Sequence, residues 1–133
     1  TALEAAKKVP GLRMVFDHLN QPPIATGERF GQWGELMKEA ASHPEFYIKI
    51  SGMGTTTGKG EGWISADIQP YVEFVLEHFG TDRCFCGGDW PVSLLAGSYT
   101  AAWKNYRTVL MELLDKESLD KVLYTNAARF YSF

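Results

Sequence analysis

Three residues of this 133-residue chain stand where side chains could do chemistry. Asp89 follows a short apolar run, Cys84-Phe85-Cys86, then the pair Gly87-Gly88, and it precedes Trp90-Pro91. The run reads as a buried strand; the glycines allow close backbone approach, and Pro91 forbids the strand from continuing. A carboxylate delivered to such an open end is either a catalytic group or a loop cap. His18 closes an earlier apolar run, Leu12 to Leu19, and is either a catalytic or metal-ligating imidazole or a core histidine held by a backbone carbonyl. Ser51 closes a third run, Phe46 to Ser51, in which Lys49, between two isoleucines, either extends its amine into a site or snorkels to the surface. A carboxylate and an imidazole in one layer can move a proton or hold a cation, so the pair weighs more than either residue alone.

The elements that must position these residues recur in one order. Leu12 to Leu19 lacks polar alternation, as expected of a strand covered on both faces. After a loop through Pro22-Pro23, Phe30, Trp33, Met37 and Ala40 recur at helical spacing until His43-Pro44. Phe46 to Ser51 is the second strand; a loop from Gly52 to Trp63 leads to a helix carrying Ile68, Val72, Val75 and Phe79, ended by Gly80. The third strand delivers Asp89, and a loop through Gly97 leads to a long helix. Ser98 is its expected N-cap, and Tyr99, Trp103, Tyr106, Leu110 and Leu113 form its apolar stripe, read as core packing. A shorter helical piece around Leu119 to Leu123 follows, with Asn126 expected to cap a last turn.

Strand, loop and helix repeated three times predict an α/β fold, a parallel sheet with helices outside it, in which reactive groups lie beyond the carboxyl ends of the strands. Alternation places Asp89, Phe85 and Gly87 on the inner face, with Cys84 and Cys86 toward the helices. It also pairs His18 with Met14 and Phe16, and Lys49 with Tyr47 and Ser51. His43, before a proline, and His78, in a last helical turn, are poor site candidates. The run Gly52 to Gly60 looks like a phosphate loop but fails on spacing: Met53 stands where the first glycine belongs and Gly60 follows Lys59 where a hydroxyl is needed. It is expected to be a mobile loop over the pocket, with Trp63 closing on a substrate.

Composition excludes several classes. A net charge of −3 with interspersed signs offers no basic stripe for nucleic acid and no polybasic membrane patch. No apolar run approaches the ~20 residues of a membrane span, and no signal peptide opens the chain. Cys84-x-Cys86 on a strand suits core packing better than a disulfide or a zinc site, which fits a reducing, cytoplasmic setting. Thr1 to Lys8 reads as the tail of a helix already under way, and Thr1 is not Met, so residues 1–133 are expected to be one partial domain, a fragment.

Val15-Phe16-Asp17-His18-Leu19-Asn20-Gln21-Pro22-Pro23-Ile24, Lys49-Ile50-Ser51-Gly52, Cys86-Gly87-Gly88-Asp89-Trp90-Pro91-Val92 and Asn126-Ala127-Ala128-Arg129-Phe130-Tyr131 together resemble the amidohydrolase-related proteins. Within that family they are most similar to the L-fuconolactonase-like sugar lactonases, relatives of 2-pyrone-4,6-dicarboxylate lactonase. The resemblance spans nearly the whole chain. It implies the C-terminal part of a (β/α)8 TIM barrel, since a closed barrel takes ~250 residues. The His-x-His that the family carries on its first strand occurs nowhere here. Asn20 and Gln21 stand where the family has glycine and lysine, and Gly88 stands where it has serine.

For the intact enzyme the resemblance implies hydrolysis of a cyclic ester. Asp89 would act as general base on water and then protonate the leaving alkoxide, while His18 would polarise the carbonyl or bind a metal. Because the resemblance reaches both metal-dependent and metal-independent enzymes, a divalent ion, zinc or manganese, on His18 and Asp89 stays open. Lys49, Trp90 and Trp63 are the expected substrate contacts, and a small-molecule lactone the expected partner, with self-association or a homo-oligomer through open barrel edges. The competing reading is a non-catalytic remnant or a binding module that kept part of a barrel.

Overall fold

The computed structural model describes residues 1–133. Its centre is a sheet of three parallel strands in the order β1-β2-β3: β1 is Met14–Phe16, β2 Phe46–Ile50 and β3 Cys84–Cys86. Met14 registers with Phe46, and Ile48 with both Phe16 and Cys84. On β2 the even-numbered residues Phe46, Ile48 and Ile50 are buried while Tyr47 and Lys49 are not, so period-2 alternation gives one face to the helices and one to the interior side. Phe85 lies on that second face beside Tyr47, Phe130 and Tyr131. The Cys84 thiol points the other way, toward Val75 of the covering helix.

Helices follow each strand as the apolar spacing predicts. After α1 (Ala2–Lys8), α2 spans Gly31–Ala41 and α4 spans Ser65–Phe79; Ile68, Val72, Val75 and Phe79 form its buried stripe, and Gly80 ends it at φ 75°. Between them, α3 is the single turn Met53–Thr56. Ser98 caps α5 (Tyr99–Leu113), its side chain accepting the Ala101 N–H at 3.1 Å. Tyr106 and Leu110 of α5 enter the core while Tyr99 is exposed, so the expected core stripe holds only for its later turns.

Two expectations are corrected at the chain's turns. The first strand stops at Phe16 rather than running to Leu19, because Asp17–Asn20 is a tight turn in which His18, Leu19 and Asn20 all have φ near +50° (55°, 49° and 54°). His18 therefore shares no strand face with Met14 and Phe16. Leu19 is driven inward instead, and its carbonyl accepts the Trp33 indole N–H at 2.8 Å.

Asn126 is no cap: α6 (Lys116–Asp120), a π-helical turn at Lys121–Thr125 and α7 (Asn126–Tyr131) run on continuously. Its buried amide reaches sideways to donate to the carbonyls of Thr81 and Cys84, at 2.5 and 2.8 Å.

Candidate active site

Each group of the site is brought in by a backbone feature just beyond a strand. Ser51 follows β2 and is fully buried. Gly52 then turns at φ 62°, where a Cβ would lie 2.7 Å from the His18 ring and 3.1 Å from Asp89 Oδ2. Glycine is required there both by the left-handed conformation and by the ring packed against it. Asp89 itself sits at φ 51°, with the Ser93 N–H closing on its carbonyl at 2.8 Å, and the Trp90–Pro91 peptide that follows is cis.

These turns bring His18, Ser51 and Asp89 together from three separate strand ends. His18 Nδ1 is hydrogen-bonded to Ser51 Oγ at 2.8 Å. His18 Nε2 lies 3.5 Å from Asp89 Oδ1, with side-chain exposures of 35% and 12%. That separation exceeds a good direct hydrogen bond and leaves the imidazole edge and the carboxylate facing a common space. A reacting water or carbonyl oxygen placed there would meet a base on one side and a ring nitrogen on the other.

The other expected contacts are distributed differently. Lys49 Nζ is paired with Asp17 Oδ1 at 2.6 Å and lies over the Tyr131 ring. Burial opposes its charge, yet the hydrogen bond and charge of Asp17, helped by Tyr131, outweigh it and hold the ammonium above the ordinary lysine range. Gly87 makes room for the lysine stem: a Cβ at that position would come within 2.9 Å of Lys49 Cδ. Trp90 stands on the rim, 70% exposed.

Trp63 does not face the pocket. It is 5% exposed, its indole N–H donates to the Ala96 carbonyl at 2.9 Å, and its ring packs on Tyr106. The loop before it is ordered by its threonines, since Thr55 and Thr56 both donate to the Gly52 carbonyl and Thr57 to that of Gly54. The expected mobile lid with Trp63 as its closing side chain is thus replaced by a fixed wall.

Sequence reasoning placed Ser51 in the layer but gave it no partner, and it missed Asp17 and Tyr131 around Lys49. Asp17 was legible in principle as a second acid at the end of β1. Nothing in the sequence spacing brings Tyr131 back to β2.

His18 and Asp89 are the chain's only converging metal donors at the site, and no group of three or more His, Cys, Asp or Glu side chains gathers anywhere in the chain. A zinc or manganese ion needs about four ligands or more. The residues present therefore do not make a metal site by themselves.

The parallel sheet, the helices outside it and a histidine and an aspartate meeting beyond the carboxyl ends of the strands are the arrangement of a partial (β/α)8 barrel. The amidohydrolase family model matches residues 2–133, and the chain belongs to that family. An L-fucono-1,5-lactonase of Burkholderia ambifaria is 37% identical over 132 residues, covering 97% of this chain and 44% of the relative. An L-rhamnono-gamma-lactonase of Scheffersomyces stipitis is 27% identical, covering 98% and 44%. A Burkholderia multivorans amidohydrolase crystallised with bound zinc superposes with a TM-score of 0.83 at 28% identity, covering 91% of this chain and 44% of that one. The chain thus spans less than half the length of these relatives.

Proposed function

We propose that these residues serve a hydrolase that opens a sugar lactone, an aldonolactone of the kind named for the two relatives. The observation that carries the reading is the convergence of His18 Nε2 and Asp89 Oδ1 at 3.5 Å beyond the strand ends. Water is a poor nucleophile at neutral pH, and Asp89, an acceptor when ionised, takes its proton as the oxygen attacks the ester carbonyl. The oxyanion that develops needs a donor, and His18 is the group beside it. Asp89 then returns the proton to the ring oxygen as the C–O bond breaks, leaving the hydroxy acid and the carboxylate ready for another cycle. Lys49 and the Trp90 indole are assigned to the substrate's hydroxyls and sugar face, whereas Trp63 supports them from behind the wall.

A divalent ion supplies Lewis-acid activation of water or carbonyl when one is bound, and His18 and Asp89 are the groups this chain would turn toward it. Two donors fall short of a shell, so no step here depends on it. The two free thiols, Cys84 and Cys86, fit the reducing, cytoplasmic setting expected from the sequence.

The test is Asp89→Asn in the lactone-hydrolysing protein, followed with a pH indicator over a set of aldonolactones. Removal of the base is expected to lower kcat by at least ~100-fold, the low end of general-base contributions, with the melting transition unchanged. Near-normal turnover would take Asp89 out of that role.

A further inference from the structure

We infer that Ser51 is a positioning residue that donates its hydroxyl proton to His18 Nδ1 and thereby fixes the imidazole with its proton on Nε2, as a hydrogen-bond donor facing Asp89. Two independent observations point the same way. Ser51 Oγ is fully buried and makes no hydrogen bond except the 2.8 Å contact with His18 Nδ1. Were Nδ1 the donor in that contact, the serine proton would have no acceptor within the chain, an arrangement that buried hydroxyls avoid. Because the residue is wholly enclosed within this chain, additional polypeptide outside it supplies no alternative acceptor. At the other ring edge, Nε2 faces Asp89 Oδ1 at 3.5 Å. A protonated Nε2 presents hydrogen to a carboxylate, whereas a bare one would set lone pair against lone pair.

The consequence for catalysis rests on the lactonase reading; the tautomer does not. With the proton on Nε2, His18 can donate to an ester carbonyl and its oxyanion. Gly52 presses the ring into this orientation, since a Cβ there would strike His18 Cγ and Nδ1 at 2.7 Å.

The test is a long-range proton–nitrogen NMR correlation on the ¹⁵N-labelled protein, at a pH high enough that the imidazole signals no longer move. Only three histidines occur, so His43→Gln and His78→Gln assign the His18 signals. The expected pattern is a protonated Nε2 and a bare Nδ1; a protonated Nδ1 overturns the proposal, and this wild-type result decides it even where a variant fails to fold. In Ser51→Ala the Nδ1 resonance is expected to move to that of a free acceptor, and in Ser51→Thr to stay near wild type. An unmoved resonance in the alanine variant rejects the hydrogen bond. In the lactone-hydrolysing protein, Ser51→Ala is expected to lower kcat roughly tenfold, the worth of about one hydrogen bond, with KM little changed and Ser51→Thr restoring it. Unchanged kcat removes the positioning role. Absence of lactone turnover in the unsubstituted lactone-hydrolysing protein would instead strike the lactonase reading and leave the tautomer standing.

Discussion

At the scale of single residues, the site depends on backbone conformations that side chains resist. His18, Leu19, Asn20, Gln21 and Asp89 all have positive φ without being glycine. Such residues cost of order 1–3 kcal/mol each and persist where surrounding packing over-determines them. Asn20 tolerates the region through its short polar side chain, and Leu19 is held by the core it enters. That turn was not legible in the sequence, because no glycine marks it; the residue types at His18 and Asp89 were legible, their approach by left-handed turns was not. Gly52 offers a direct check. Gly52→Ala places a methyl against the His18 ring at φ 62°, which is expected to destabilise by about 1–2 kcal/mol from the backbone alone. It should also displace His18 from Ser51 and Asp89. Urea denaturation should show the lowered midpoint, and lactone turnover should fall well beyond what the lost stability explains.

Elements carry a different kind of information. β2 was legible because strict alternation marks its two faces, whereas Asn126 was misread because a polar residue before a helical turn looks like a cap. Its burial comes from the uninterrupted α6–α7 segment crossing β3, a tertiary fact without local signature. Arg83 O and Gly87 N–H bond to β2, so alternation turns the Cys84 carbonyl to the outer edge, where the Asn126 amide covers it. Asn126→Ala leaves two carbonyls without this donor and is expected to cost about 2 kcal/mol, read from the urea midpoint. The cysteines of β3 predict a pH effect. Burial pushes the Cys86 thiol up to about 12 and the Cys84 thiol further, with Cys86 adding and Arg83 opposing. Burial likewise raises Tyr106 to about 12 against the hydrogen bond from the Met53 N–H. Between the ordinary thiol value of 9.0 and these raised values, the unfolded chain has lost protons that the folded one keeps, so stability falls as pH rises. The melting temperature should therefore drop from about pH 9 upward. Cys84→Ala with Cys86→Ala should start lower at neutral pH and descend less steeply, and equal slopes would contradict the burial argument.

Over the whole molecule, the repeated strand–loop–helix order was enough to read a parallel sheet with its reactive ends on one side. It was enough because each short apolar strand run is followed by a segment of helical apolar spacing, and that alternation of periods marks a parallel sheet with helices packed on it. What the chain leaves open is equally physical. Three strands close no barrel: the outer edge of β1 has no strand partner, and Asn126 covers only one carbonyl along the outer edge of β3. Beyond Asp89, Trp90, Val92, Leu94 and Leu95 are exposed, as are Tyr99 and Met111 on α5. Unpaired parallel edges template further pairing, and exposed apolar clusters of this kind mark contact surfaces. The 133-residue chain on its own is therefore expected to associate and to bind a hydrophobic dye. Light scattering coupled to size exclusion should give a mass above 14.9 kDa that rises with concentration. Lysine substitutions at Leu94 and Leu95, outside the proposed catalytic groups, should lower both that mass and the dye signal. A monodisperse monomer that melts cooperatively without binding dye would mean that the inner face is already sealed by Phe130 and Tyr131, and that the open edges do not drive assembly.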